Sequence, residues 1–478
     1  MQFACDAFFG MDTSERDRSW PRFEMSALFE SCEKWAFHKL KCILHYFCQM
    51  AQDDIRRNKW LTSPSSLTQV RASSNASKIP SYMSSRSVLI LRHKLPSQVT
   101  SYLLHHNTLP QNQGRLCNVN FFAEGSIEDS HGDVQIDFAN KLIGGGVFGQ
   151  GCVQEEIRFV INPECLVSLL VCEEMHANEA IAIVGTKQYS KYRGYGKTFE
   201  FVSHRNDVTP QVIVDKHANT TVRTCSCIVA IDAEKYNPQD TQNQFTVGKL
   251  RRELIKCYTG FSVPEDVCHF WPDFDEKGNF NANGNNNNGS KVAIATGNWG
   301  CGVFGGNVEL KFVIQWLAAS LCGCDDIEKI ADGGNIGKRK RKIRELKYYA
   351  FRNSDCKYIE SFVHICLKNE MTICQLWTYV VNYCELLQRH VPEESMLQSD
   401  SDINEKSLFR SIVKNYTDGL DELIPHPLLV KEITTINGGN LSNDLQTDTE
   451  NPSDIPKKVS THVETLARRK QHIMSQEF

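Results

Sequence analysis

Two adjacent glutamates, Glu155 and Glu156, follow a triple-glycine loop in the densest stretch of the sequence. It runs Ile136-Asp137-Phe138-Ala139-Asn140, then Gly144-Gly145-Gly146 through Gly151, then Gln154-Glu155-Glu156. Carboxylates this close repel, and partial burial adds to the repulsion, so one is pushed toward its protonated form near neutrality. Cleavage of a glycosidic bond needs such a group to protonate the leaving oxygen, and negative charge near the developing oxocarbenium ion. A strand end delivers Asp137 and Asn140 to the same place. The glycines let backbone approach a ligand without Cβ contacts. A helix opening near Gln154 offers free N–H groups and a positive dipole end to an anion such as a diphosphate. The dipole acts against the raised pKa, so the sequence leaves the net shift open.

Plainer readings stand beside this one. Gly144-x-Gly146-x-x-Gly149 formally matches a dinucleotide fingerprint, which expects a strand directly before the first glycine and an acidic residue closing the next strand. Here Phe138 is separated from Gly144, and the next strand candidate ends in Val184-Gly185. Glutamates at a helix start also simply complement its dipole. A second loop, Thr296 to Gly306, follows an apolar strand and precedes a helix, and such loops form anion-binding nests or ordinary tight turns. Gly333 to Lys342 is not a phosphate-binding P-loop, because Arg339 stands where Ser or Thr should hold a magnesium ion.

The chain has 478 residues, 41% of them hydrophobic, enough for a substantial core. Lys+Arg number 53 and Asp+Glu 57, and a net charge of −4 argues against a broad basic nucleic-acid surface. Nineteen cysteines include no C-x-x-C pair, so no metal site is expected from them, and no cofactor is expected for glycosidic cleavage. The first ten residues lack the pattern of a secretory signal, and no apolar run approaches the ~20 residues of a membrane span. Free thiols then point to a reducing compartment, nucleus or cytosol. Lys338 to Lys342 reads as a nuclear localisation signal or as a solvated basic loop.

The elements that must carry the loops are an alternation of strands and helices. A helical pattern spans 22–52, with Phe23, Leu28, Phe29, Cys32, Trp35, Leu40, Ile43, Leu44 and Phe47 at three- and four-residue steps. A Ser-rich linker follows, giving a first segment of 1–84. Strands are predicted at 88–91, 118–122, 134–138, 180–184, 197–202, 225–231, 292–295 and 346–351. Helices are predicted at 97–106, 153–170 (divided by Pro163), 247–258, 308–321, 358–367 and 372–389. This is one α/β domain over 85–390 with a helical preface, insertions near 278–289 and 323–345, and a polar, poorly ordered tail over 391–478. The tail carries weak helical signals near 428–433 and 463–473.

Several separated motifs in order resemble the poly(ADP-ribose) glycohydrolase family: Gly144 to Glu156, Asn162-Pro163-Glu164, Gly185 to Ser190, Tyr192, Gly194-Tyr195 and Thr296 to Gly306. The resemblance covers roughly 85–390 and implies a macrodomain-like mixed sheet flanked by helices, with an N-terminal helical accessory region. It implies that Glu156 is the general acid and then the base toward water. Glu155 and Asn140 would hold the hydroxyls of the scissile ribose, and Asp137 would support them. Gln154, Ile127 and Glu128 would lie toward the adenine and its ribose, while Tyr195 and Phe351 would pack around the ligand. Gly144, Gly145 and Gly146, with Asn298, Gly302 and Phe304, would lie along the diphosphate. The substrate implied is poly(ADP-ribose) on modified proteins, cut with no metal, by a monomer that needs neither a membrane nor sequence-specific nucleic-acid binding. Departures from the family are the Lys-rich insertion, the polar tail and a short or missing N-terminal regulatory region. Two other readings stay open: a non-catalytic reader of the polymer terminus, and a nucleotide-dependent oxidoreductase. The presence of both glutamates favours the enzyme, since a reader needs the cradle but not the acid.

Overall fold

The computed structural model describes residues 19–61, 88–104, 109, 113–205, 212–215, 220–223, 226–263, 293–322, 324, 345–389 and 407–423. The insertion near 278–289, the Lys338 to Lys342 run and the helical signals near 428–433 and 463–473 lie outside the described residues.

Apolar runs of four to six residues form a seven-stranded sheet in the order β1 (Leu89–Lys94), β4 (Glu179–Val184), β9 (Cys227–Asp232), β3 (Val134–Ala139), β10 (Ile294–Gly297), β11 (Leu346–Tyr349), β2 (Val119–Phe122). The five strands from β9 to β2 pair in parallel, whereas β4 is antiparallel to both β9 and β1. Strands β4 and β9 are buried along their whole length, as continuous apolar runs covered on both faces should be. Successive side chains of β9 serve opposite layers. Ile228 and Ala230 join the core under the N-terminal helices α1 (Ser26–Glu30) and α2 (Lys34–Leu61) and helix α4 (Gln154–Ile161). Val229 and Ile231 face Gly260 of helix α6 (Val247–Phe261) on the other side. Helix α3 (Ser97–Leu104) follows β1, and helix α7 (Val308–Leu321) follows β10. The fold is thus the mixed sheet flanked by helices that the sequence predicts.

Some elements differ from the reading above, each for a local reason. The strand expected at 197–202 forms as β6 (Glu200–His204), paired with β5 (Ser190–Arg193), because Gly194 and Gly196 take φ of 77° and 58° and turn the chain between them. The strand expected to reach 351 ends at Tyr349, since Phe351 and Arg352 take left-handed φ of 51° and 57°. A hairpin of β7 (Val212–Asp215) and β8 (Thr220–Arg223) was not legible beforehand. Pro163 does end a helix: α4 stops at Ile161, and a 3-10 turn (Pro163–Val167) leads into α5 (Ser168–Val171).

Packing divides the chain into two units. The first comprises 1–105, 117–244 and 248–353 and holds the sheet. The second comprises 106–116, 245–247 and 354–478. In the second, helices α8 (Ile359–Lys368), α9 (Ile373–Arg389) and α10 (Leu408–Leu423) pack together, with Phe362 stacked on Phe409 at 4.2 Å. Helix α10 lies within the stretch read as an unstructured tail. Its Leu408, Phe409, Ile412 and Tyr416 are buried, a helical spacing that was present in the sequence.

Candidate active site

The site begins where two parallel strands part. Strands β3 and β10 pair only at Val134 and Gln135, so the C-terminal half of β3 has no strand partner on that side. The side chain of Gln154, at the start of α4, fills the opening: it accepts from Phe138 N at 2.8 Å and donates to Ile136 O at 3.2 Å. Crevices of this kind, at the carboxyl ends of parallel strands, are where α/β sheets bind ligands.

Between β3 and α4, the glycine loop folds onto the two glutamates. Glu155 is 3% exposed, and its carboxylate accepts from Asn140 N at 2.9 Å and Gly144 N at 2.7 Å. Glu156 is 6% exposed and accepts from Gly146 N at 3.0 Å and Val153 N at 2.9 Å. The last bond also caps α4, because Val153 at the N-cap has no side-chain oxygen to offer its own helix. A Cβ placed on Gly145 would lie 2.6 Å from Glu155 Oε2 and 2.7 Å from Glu156 Oε1, so both carboxylates converge on that residue. A Cβ on Gly151 would lie 2.4 Å from Glu156 Oε1. Glycine is therefore required where the loop touches the glutamates, a different contact from the ligand approach expected of it. Gly144 instead abuts Leu169, and Gly146 abuts Gly151.

Asp137, fully buried on β3, makes the third carboxylate, and neither of its oxygens has a hydrogen-bond partner. Burial pushes its pKa from 3.8 up to about 8, opposed by the Arg158 guanidinium and reinforced by Glu156. Burial likewise raises Glu155 well above the usual carboxylate range, and the charges of Asp137 and Glu156 add to it. The amides of Asn140 and Gly144 pull it back only in part. Asp137 and Glu155 therefore retain protons near neutrality.

The other expected residues fall into two groups. Tyr195 and Phe351 are brought together, 42% and 54% exposed, with ring centroids 5.5 Å apart. The Tyr195 hydroxyl accepts from Gln154 N at 3.2 Å, which fixes this aromatic pair at the start of α4. Gly302 has open space where a side chain would be, and the half-buried Phe304 gives its carbonyl to Tyr236 N at 2.8 Å. The remaining side chains are engaged with the protein itself. Asn140 Oδ1 accepts from Leu142 N at 3.0 Å. Asn298 donates to Ala350 O at 2.8 Å and accepts from the Tyr348 hydroxyl at 3.0 Å. Ile127 is buried in a 3-10 turn, and Glu128 beside it accepts from the Tyr192 hydroxyl. Gln154 spans the β3 edge as described.

Three contributors were not foreseen. Arg158, one turn along α4 from the glutamates, is the cation nearest Asp137 in effect, and it donates to Gln135. Gly151 carries the tightest approach to Glu156. Lys39, on α2, donates to three carbonyls of the glycine loop. A signal for Lys39 existed: it stands one turn from Trp35 in an otherwise apolar stripe. Among the described residues, no group of three or more His, Cys, Asp or Glu is arranged to hold a metal ion, and no helix is long and apolar enough to cross a membrane.

Residues 106–329 match the family described as poly(ADP-ribose) glycohydrolase (PARG), macro domain fold. A probable poly(ADP-ribose) glycohydrolase 2 of Arabidopsis thaliana is 30% identical over 298 residues, 56% of this chain and 49% of that protein. Poly(ADP-ribose) glycohydrolase 1 of Arabidopsis thaliana is 31% identical over 315 residues, 56% and 52% of the two chains. Poly(ADP-ribose) glycohydrolase 1 of Caenorhabditis elegans is 38% identical over 213 residues, 43% of this chain and 24% of that protein. The matched region thus spans about half the length of the Arabidopsis relatives. The region that carries the buried glutamate pair on its glycine loop is thus similar to the macro domain of poly(ADP-ribose) glycohydrolases.

Proposed function

We propose that this protein hydrolyses the ribose–ribose O-glycosidic bonds of poly(ADP-ribose) and releases ADP-ribose. One observation carries the proposal: Glu155 and Glu156 are buried side by side, each held by two amides, in the crevice where β3 and β10 part. In the proposed step Glu156 gives its proton to the leaving ribose oxygen as the glycosidic C–O bond breaks. The negative charge left on Glu156 by that transfer lies beside the positive charge that develops on the other ribose. Glu156, now ionised, takes a proton from water as the water oxygen bonds to that carbon, which restores the acid. Glu155 and Asn140 hold the ribose hydroxyls. The amides at the start of α4 and the Thr296 to Gly306 loop receive the diphosphate. Tyr195 and Phe351 supply exposed aromatic faces for the ligand, and no metal or cofactor enters the step.

The test is to mix the protein with poly(ADP-ribose), without added metal, and chromatograph for free ADP-ribose. Wild type should release it, and Glu156→Gln should lose about 10²–10⁴-fold in rate while still binding polymer. A wild type that binds polymer and releases nothing would be a reader of the polymer instead. We further propose that it acts on poly(ADP-ribosyl)ated proteins as a monomer, in the nucleus or cytosol. Imaging of the tagged chain, with and without the Lys338 to Lys342 run, checks the location.

A further inference from the structure

Helix α2 reaches the glycine loop through one side chain. Lys39 is completely buried, and its Nζ lies 5.1 Å from the centre of the Trp35 ring. It donates to Gly151 O at 2.6 Å, Gly149 O at 3.0 Å and Gly146 O at 3.3 Å. An ammonium has three donors and no acceptor, so these carbonyls use all it has. The loop is gathered on the same point from within, since Gly149 N and Gly151 N also donate to Gly146 O at 2.9 Å and 3.1 Å.

The residues held by Lys39 are those that hold Glu156. Gly146 gives its carbonyl to Lys39 and its N–H to Glu156 Oε1. Gly151 gives its carbonyl to Lys39, and its bare Cα faces the Glu156 carboxyl. Two residues on, Val153 N donates to Glu156 Oε2. Loop peptides are thus fixed between a buried cation on one side and a buried carboxyl on the other. Charged hydrogen bonds of this kind, in a dry site, are worth roughly twice neutral ones. A lysine desolvated among apolar neighbours such as Trp35 and Cys42 is costly unless its contacts repay it. Any aliphatic residue would fill the same space more cheaply, so packing of α2 does not account for the ammonium.

We infer that Lys39 is a positioning residue for catalysis. From the accessory helix it clamps the Gly146 to Gly151 turn and so sets the direction of the Glu156 carboxyl. The inference rests on the proposed glycohydrolase activity for its kinetic consequence, but its structural half does not. Without the clamp the loop retains its sequence and its glycine turns, yet the amides that aim Glu156 gain freedom. A displacement of about 1 Å at such a group costs as much as about 10²-fold in rate. Binding of ADP-ribose away from the reacting bond depends little on it.

Two variants test this in the full chain. Lys39→Met keeps the length of the stem and removes all three donors, whereas Lys39→Gln keeps two weaker ones and carries the test should the methionine variant not fold. Hydrogen–deuterium exchange is measured first, in each folded variant and in wild type. Faster exchange confined to the amides of 144–153, with β4 and β9 unchanged, is expected; unchanged exchange in that loop would overturn the clamp whether or not the protein is an enzyme. Kinetics on poly(ADP-ribose) follow. For Lys39→Met, kcat should fall about 10- to 100-fold with KM within about threefold, and Lys39→Gln should lie between it and wild type. Unchanged kcat in an active protein would overturn the positioning role, as would a fall in kcat matched by a general loss of thermal stability. If wild type itself releases no ADP-ribose, it is the glycohydrolase reading that fails, and the exchange result still decides the clamp.

Discussion

At the scale of single residues, the site turns on carboxylates that the fold keeps from water. Asp137 has a pKa raised from 3.8 to about 8, chiefly by burial. Below the lower value the folded and unfolded chains are both protonated there and the group costs nothing. As pH rises toward the upper value the unfolded chain releases its proton and the folded chain does not. Stability is therefore lost progressively across that window. Asp137→Asn removes the titration with little change of shape. Its unfolding free energy should gain on wild type steadily between about pH 5 and about pH 8, by at most about 1.4 kcal/mol for each pH unit. A difference that does not change with pH would show that Asp137 does not carry this proton. Asp137, Glu155 and Glu156 could be singled out in the sequence because they flank a glycine loop, although glutamates at a helix start also serve only to complement its dipole. Their division into one unbonded and two amide-bonded groups was not, since it depends on which loop amides point at them.

The elements decide how closely that chemistry is held. Gly145 takes a left-handed φ of 48° and has a carboxylate oxygen of each glutamate within 2.7 Å of where a Cβ would sit. Gly145→Ala should thus push both glutamates aside and lower turnover by about 10²-fold or more, while far-ultraviolet circular dichroism stays that of wild type. Near-normal turnover would mean that the loop does not set the carboxylates. The second glycine loop is underpinned differently. Behind it Lys311 of α7 pairs with Glu253 of α6, both nearly inaccessible, and the Lys311 ammonium lies 4.4 Å from the Trp299 ring. Arg252 bonds both Glu253 and Asp232, at 2.7 and 2.5 Å. Replacing Glu253 by Gln leaves Lys311 buried without its counter-charge. Chemical unfolding should then register a loss of about 3–5 kcal/mol; a loss below about 1 kcal/mol would show that the cluster adapts. The helix α7 and both loops could be read from spacing. The charged cluster beneath could not, because Asp232, Arg252, Glu253 and Lys311 come from separate elements.

The whole molecule joins an accessory layer to a macro domain. Phe23, Met25, Leu28, Trp35, Ala36, Cys42 and Ile43 of the N-terminal segment share one core with Phe148 of the glycine loop and Phe159 of α4. Phe23 meets Phe148 edge to face at 4.9 Å. A chain lacking residues 19–61 would expose that face. It should express as aggregate or lose cooperative melting, and a soluble, fully active truncation would contradict the shared core. Of the apolar residues that marked this helical pattern in the sequence, Leu28, Trp35 and Ile43 are buried but Phe29 and Leu44 face outward, while Lys39 faces inward. Hydrophobic period thus set that a helix forms, and partner surfaces chose its buried side. The same separation holds throughout. Short-range order determined the strands, the helices, the glycine loops and the glutamate pair, because each depends on neighbours within a few residues along the chain. Only tertiary structure decided the parting of β3 from β10, the meeting of Tyr195 with Phe351, and the reach of Lys39 into the loop. Each of these joins groups distant in sequence, and the energy that selects them is the burial and pairing available only once the layers have closed.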